Sequence, residues 1–329
     1  MDETWRFCVA PMLDWTDRHC RFFHRLLSRR ARLYTEMVTT GALLFGDQRR
    51  HLDFDAVEHP VALQLGGSEP AELAECARLG ERWGYDEINL NCGCPSERVR
   101  RGAFGACLMA EPTLVRDCVA AMADAVSVPV TVKHRIGLGR DERYAFVRDF
   151  VGIVAQGGAR TFVVHARNAW LEGLSPKENR EVPPLRYDVV RALRRDFPEL
   201  RFVLNGGLSS LEQVAAHIGD VDGVMLGRAP YHDPWMLARV DPELFGAPAP
   251  LEHRREALAP LAAYARVHVR AGGHLRDVTR HALGLFNGLP GARRWRQALS
   301  DARLLAANDP DLILRAAVPV VERDAGLAA

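Results

Sequence analysis

Cys94 is the residue whose surroundings most suggest chemistry. It closes the segment Glu87–Pro95, E-I-N-L-N-C-G-C-P. Glu87, Asn89 and Asn91 alternate with Ile88, Leu90 and Cys92, a period of two, so the polar side chains share one face of a strand. Gly93 breaks the alternation and Pro95 holds Cys94 to extended backbone, which sets a thiol where the strand stops and a loop begins. Amides on a strand face need hydrogen-bond partners, and with a thiol at the same mouth they point to a site rather than to core filling. Thiols in water keep their proton at neutral pH, which suits a general acid. Nucleophilic attack is the alternative role, but no His-Asp activating arrangement stands nearby. Cys92 and Cys94 could begin a metal site, yet no second Cys or His pair follows at zinc-ligand spacing, so no metal is expected.

Such a strand must be held by others. Short apolar runs recur at Phe7–Met12, Leu33–Val38, Val61–Gly66, Glu87–Asn91, Val128–His134, Thr161–His165, Phe202–Asn205 and Gly223–Leu226. Helix-like stretches lie between most of them: Pro70–Trp83 with Ser68 as its cap, Pro112–Val126, Arg143–Gln156, Arg186–Asp196 and Ser210–Ile218. Eight alternating units predict an α/β fold, the (β/α)8 TIM barrel, with a doubly wound open sheet as runner-up; no G-x-G-x-x-G follows the first strand. The strand ends read Pro11-Met12, Glu36, Gln64, Asn91 with Cys94, Lys133 with Arg135, His165 with Arg167, Asn205-Gly206-Gly207 and Gly227-Arg228. Polar groups gathered on one rim mark a binding face. The glycines of the last two strand ends, beside a fixed cation at Arg228, suit a phosphate, although glycines also serve tight turns.

A long loop, residues 168–184, follows strand six and carries Trp170, Lys177 and Arg180. If Lys177 and Arg180 sit on a helical turn they share a face suited to phosphate or base contact. Beyond Pro248 the pattern turns helical, at Leu251–Ala271, His274–Leu285 and Ala292–Leu305, a small all-α bundle appended to the barrel. Arg293, Arg294 and Arg296 make a basic patch beside Trp295, the ingredients of nucleic-acid contact; a solvated face over a core tryptophan is the competing reading.

Composition agrees. With 48% hydrophobic and 26% charged residues the chain is an ordinary globular one, and disordered or fibrous classes drop out. Seven cysteines, all within the first 118 residues, do not form a disulfide framework. No apolar run approaches a membrane span and the first residues lack a basic and then apolar leader, so a cytoplasmic protein is expected. The net charge of +1 hides an asymmetry: residues 246–329 hold 12 Arg against 8 acidic residues, and the remainder carries 31 basic and 34 acidic. The excess is a weak pointer to a polyanion. Of the 43 basic residues only Lys133 and Lys177 are lysines, two places where a compact ammonium can approach a ligand closely.

The chain resembles the tRNA-dihydrouridine synthases of the type A branch through V-A-P-M-L-D-W-T-D-R-H-C-R, L-Y-T-E-M-V, L-Q-L-G-G, I-N-L-N-C-G-C-P-S-E-R-V-R-R-G-A-F-G-A-C-L-M, V-K-H-R-I-G, H-A-R-N-A-W-L-E-G-L-S-P-K-E-N-R, L-N-G-G, M-L-G-R-A-P-Y-H-D-P-W and T-R-H-A-L-G-L-F-N-G-L-P-G-A-R-R-W-R. These cover nearly the full chain. The family commonly has an aliphatic residue where this chain has Cys92, leaving Cys94 as its catalytic thiol. The resemblance implies an FMN-binding barrel over 1–245 and a helical tRNA-binding domain over 246–329. It implies reduction of the C5–C6 double bond of a D-loop uridine, at position 20 and 20a, with hydride from NADPH through FMN. In that scheme Cys94 protonates C5, Lys133 faces the flavin N1–C2=O2 edge, and Gln64 and the Pro11-Met12 backbone meet the isoalloxazine. His165, Asn205, Gly206, Gly207, Gly227 and Arg228 match the side holding the ribityl chain and phosphate. Asn91 corresponds to a contact with the uracil, an amide able to donate and accept. Lys177, Arg180, Arg293, Arg294 and Arg296 are the remaining tRNA contacts, and a monomer on RNA is expected. Two other functions compete. One is a flavin barrel for a small molecule, such as a dihydropyrimidine or dihydroorotate dehydrogenase, which would lack the basic helical end. The other is a catalytically dead RNA-binding barrel, which would purify without flavin colour.

Overall fold

The runs rich in Val, Leu, Ile and Phe form eight parallel strands in the computed structural model, which describes residues 3–96, 104–141 and 143–321. The strands are β1 Phe7–Val9, β2 Leu33–Thr39, β3 Val61–Gly66, β4 Glu87–Cys92, β5 Val130–Arg135, β6 Thr161–His165, β7 Arg201–Asn205 and β8 Gly223–Leu226. They pair in the order β1-β8-β7-β6-β5-β4-β3-β2. Between β1 and β2 the ring closes where the Val9 N–H donates to the Arg32 carbonyl and the Arg32 N–H to that of Phe7, both at 2.9 Å. Surrounding helices cover the outer faces, so this is the (β/α)8 barrel that the alternation predicts.

Proline trims two strands. β1 stops before Pro11 and β5 starts after Pro129, because neither residue has an N–H for the ladder. The helix Pro70–Trp83 has its expected bounds, but its N-cap is Glu69, without a side-chain cap bond, rather than Ser68. The Ser68 carbonyl instead accepts from the Cys118 thiol. In the C-terminal stretch the three expected helices are broken up. A 3-10 turn Arg254–Ala257 precedes Leu258–Arg270, a short helix Leu275–Thr279 replaces the second, and the third splits into Ala292–Ser300 and Ala302–Ala306. Asp301 makes that split, its carboxylate accepting from the Arg303 and Leu304 N–H groups at 2.8 and 3.3 Å, a local cap that outcompetes helix continuation.

The chain forms two compact units, residues 1–18 with 31–227 and residues 19–30 with 228–329. Along the chain they divide at Gly227/Arg228, upstream of the expected 245/246. His19–Arg30 joins the second unit for physical reasons: the buried Asp241 carboxylate accepts from the Ser28 hydroxyl at 2.5 Å and from the Arg29 and Arg30 N–H groups at 2.8 and 3.2 Å. Phe22 also stacks on Tyr264 with centroids 3.9 Å apart. No helix among the described residues is long and apolar enough to cross a membrane.

Inside the barrel the filling is lopsided. Trp5, Cys8, Ala10, Tyr34, Ala62, Val163, Val203 and Met225 form one buried apolar cluster. β4 and β5 turn Glu87, Asn89, Asn91, Thr131 and Lys133 inward instead, and their outward residues Ile88, Leu90, Cys92 and Val132 pack under the helices. Near the seam β8 passes so close to the chain before β1 that a Cβ on Gly223 would lie 2.0 Å from the Trp5 carbonyl oxygen. Gly223→Ala should therefore cost at least about 1–3 kcal/mol of stability, read as a lowered urea midpoint at unchanged slope.

Candidate active site

The inward residues of neighbouring strands meet at their register partners. Gln64 lies opposite Asn89, Asn89 opposite Thr131, and Asn91 opposite Lys133. Side-chain bonds follow this grid. Asn89 Nδ2 donates to Thr131 Oγ1 at 2.8 Å, Gln64 Nε2 donates to Asn89 Oδ1 at 2.7 Å, and Asn91 Nδ2 donates to Gln64 Oε1 at 2.8 Å. All three amides are at least nine-tenths buried. At the foot of the grid Glu87 pairs with Arg32 at 3.0 Å. Glu87 also helps to raise the thiol of Cys8 and the phenol of Tyr34, in both cases after burial itself.

At the mouth, Asn91 Oδ1 accepts the N–H groups of Gly93 and Cys94 at 3.1 and 3.0 Å. The Cys94 carbonyl accepts from Ala106 N–H at 2.9 Å. Cys94 is thus pinned on both sides and half-buried, while Cys92, fully buried on the opposite strand face, has its thiol pushed well up by desolvation. Residues 97–103 of the motif after Cys94 lie outside the described residues.

A row of basic side chains crosses the rim beside the thiol. Arg135 is the register partner of His165, and His165 of Asn205. Lys133 Nζ donates to Asn205 Oδ1 at 3.1 Å, and Asn205 Nδ2 donates to the Met225 carbonyl at 2.8 Å. Among the described residues no carboxylate pairs with Lys133, Arg135 or His165. Burial first and Arg135 second therefore hold the Lys133 ammonium down to about 7, with Cys94 acting in the opposite direction. Burial also lowers Arg135 to about 9 and holds His165 well below the usual histidine range, where Arg135 and Lys133 add repulsion. Lys133 and Arg135 thus stand beside a neutral His165 with no carboxylate partner among the described residues, an arrangement that an incoming anion would stabilise.

The glycine loops fit the same reading. Gly206 and Gly207 take φ of +113° and +73°, and a Cβ on Gly206 would meet His165 Cδ2 at 2.6 Å. The Tyr187 hydroxyl donates to the Gly206 carbonyl at 2.7 Å and fixes that turn. Gly227 is different: its φ is unexceptional, and a Cβ would find Met12 Sδ and Ala10 Cβ at ordinary distances of 3.4 and 3.6 Å. Neither backbone nor neighbours demand glycine there. Met12 is set by Thr16, whose hydroxyl accepts the Met12 N–H at 2.9 Å, and Pro11 precedes it in the same turn. Arg228 opens the helix Arg228–His232 of the second unit.

Two side chains carry the loops: Arg135, which the sequence placed on the rim without a role of its own, and Asn179, which nothing in the sequence singled out. Arg135 donates to the carbonyls of Gly93 at 3.2 Å, Asn168 at 3.2 Å and Asn179 at 2.9 Å, tying the Cys94 loop to the loop after β6. Asn179, fully buried, accepts the Trp170 N–H at 2.8 Å and donates to the Trp170 carbonyl at 2.9 Å. The flanking Lys177 and Arg180 are exposed on one turn, Arg180 N–H donating to the Lys177 carbonyl at 3.0 Å. Trp170 is used internally, with the Arg140 guanidinium 4.8 Å from its ring centroid. In the helical unit Arg293, Arg294 and Arg296 are exposed along Ala292–Ser300. Trp295 is not their stacking partner: it is fully buried, donates to the Ala282 carbonyl at 3.1 Å and stands edge-on to Phe286. Among the described residues no group of His, Cys, Asp and Glu is arranged to hold a metal.

The model of the dihydrouridine synthase family matches residues 8–319. A tRNA-dihydrouridine(20/20a) synthase of Pseudomonas putida is 61% identical over 96% of this chain and 94% of its own length. Synthases of the same name are 60% identical in Pseudomonas syringae pv. tomato, over 96% of this chain and 94% of that one. In Pseudomonas aeruginosa the identity is 62% over 90% of this chain and 89% of that one.

Lys133 yields a pH signature. In the unfolded chain it holds its proton to about pH 10.4, but in the folded, ligand-free protein only to about 7, so the folded state binds fewer protons between these values. Its penalty is constant below about pH 7 and is relieved as pH rises. The stability of wild type relative to Lys133→Met should therefore increase from pH 7 towards 10, measured by denaturant titration. A flat difference would remove the depressed lysine.

Proposed function

The chain belongs to the dihydrouridine synthase family, and we propose that it reduces the C5–C6 double bond of a D-loop uridine in tRNA, at positions 20 and 20a, using NADPH and a bound FMN. When bound, FMN would supply hydride to C6 of the uracil. The residues present fit such a group. Lys133 and Arg135 lack a carboxylate partner among the described residues, a neutral His165 is the register partner of Arg135, and Gly206 packs against His165. Lys133 would hold the electron-rich N1–C2=O2 edge, Gln64 with the Pro11-Met12 turn the ring, and His165 and Asn205 with the glycines the ribityl phosphate.

The observation that carries the reading is the pinned thiol. Cys94 is held by its own N–H and carbonyl at the mouth of β4, half-exposed, one strand from Lys133. From there it would protonate C5, while the Asn91 amide would meet the uracil. Removal of this proton donor should cost on the order of 10²-fold or more. The target base must leave its stack to reach the barrel mouth, so unpaired loop uridines are the natural substrate. Lys177 and Arg180 beside the mouth, and Arg293, Arg294 and Arg296 on the helical unit, would contact the RNA backbone of a cytoplasmic tRNA bound by one copy of the chain.

Mass-mapping of dihydrouridine in tRNA from cells lacking this chain tests the activity; unaltered modification at 20 and 20a would refute it. Cys94→Ala should retain flavin colour and lose product, and full tRNA reduction by that variant would remove the general-acid role. Arg293→Ala combined with Arg296→Ala should weaken tRNA binding. Its salt dependence should also flatten by about 0.9 log units per lost phosphate contact, while NADPH oxidation without tRNA persists.

A further inference from the structure

Glu87 stands at the opposite end of β4 from Cys94, yet the hydrogen bonds that reach Cys94 begin at its carboxylate. A carboxylate has only lone pairs to offer. Its partners are all donors: Trp5 Nε1 at 2.8 Å, Arg32 Nη1 at 3.0 Å, Tyr34 Oη at 2.8 Å and Thr131 Oγ1 at 2.5 Å. The single proton of Thr131 is thereby spent on Glu87, and its oxygen must accept from Asn89 Nδ2. That turns Asn89 Oδ1 towards Gln64, which can meet it only with Nε2, and leaves Gln64 Oε1 to take the Asn91 Nδ2–H. Asn91 Oδ1 then faces the Gly93 and Cys94 N–H groups. Every link donates towards Glu87, so a charge at the barrel's foot decides which way round each amide sits up to the mouth.

We propose that Glu87 is a positioning residue, which through Thr131, Asn89 and Gln64 locks the Asn91 oxygen onto the Cys94 loop and presents Asn91 to its ligand as a donor only. With Oδ1 accepting two N–H groups and one Nδ2–H given to Gln64, Asn91 keeps one N–H and no lone pair. An N–H is what a uracil carbonyl gathering negative charge during reduction requires. The catalytic meaning of this lock rests on the roles given above to Asn91 and Cys94; the lock itself does not. A neutral amide at 87 can donate as well as accept, and would let the chain run in either direction.

Hydrogen exchange at the Gly93 and Cys94 amides, followed on the full-length protein without turnover, tests the proposal. Glu87→Gln and Thr131→Val should each speed that exchange roughly tenfold, the loss of one hydrogen bond's protection. Thr131→Ser, which keeps the hydroxyl, should exchange like wild type. Unchanged protection at Gly93 and Cys94 in folded Thr131→Val would overturn the proposal. So would Thr131→Ser exchanging as fast as Thr131→Val, because repacking rather than the hydroxyl would then be the cause. If Glu87→Gln does not fold, the two Thr131 variants decide. None of these results depends on whether Cys94 is the acid, which the activity of Cys94→Ala decides separately.

Discussion

A carboxylate buried at the foot of a closed barrel has to be satisfied from within, and much of the interior follows from that one demand. Glu87 and Arg32 are almost fully desolvated, so removing either would strand a charge at a cost of about 3–5 kcal/mol. The counter-charge comes from the residue whose backbone also closes the ring against β1. Burial lowers the Arg32 guanidinium, but Glu87 together with Tyr34, Cys8 and Asp86 outweighs it and the net direction is upward. Trp5, Tyr34 and Thr131 bring donors from three further places around the ring. The ion pair thus joins barrel closure to the polar grid of β3, β4 and β5, whereas the remaining strands are free to fill the interior with apolar side chains.

The rim shows the opposite economy. Lys133 and Arg135 lie on one strand with amides and carbonyls for partners and no carboxylate among the described residues, and a neutral His165 is the register partner of Arg135. Such an arrangement lowers the stability of the ligand-free chain, since each group would be more comfortable elsewhere. An anion in the mouth would relieve both cations together. Affinity for that anion and instability without it are therefore one quantity seen from two sides.

Much of this was legible in the residues. Apolar runs at regular spacing foretold eight strands, and the alternation in Glu87–Cys92 foretold which side chains face inward, because parallel pairing fixes the faces once the period is known. The direction of the amide chain was not legible: two asparagines and a glutamine read alike whichever way they turn, and only the register with Thr131 orients them. Asn179 read as a loop residue, since nothing local shows that its amide would close the segment upon itself. The C-terminal helices read longer than they are because amphipathic spacing runs through Asp301, whose side chain serves the next turn instead. Trp295 could be read either as core or as a stacking face, and burial against Phe286 decides for core.

Asn179 also bears on how a partner would be met. Its side chain bonds at both ends to Trp170, its carbonyl is held by Arg135, and Arg167 Nη1 donates to the Pro183 and Glu181 carbonyls further along the loop. The segment between strand six and its following helix is therefore already frozen before Lys177 and Arg180 meet anything. Encounter then resembles a key entering a cut lock more than a rope tightening around a post. Little chain entropy would remain to be lost by this loop, and an association through it would be set by diffusion and charge rather than by waiting for the loop to fold.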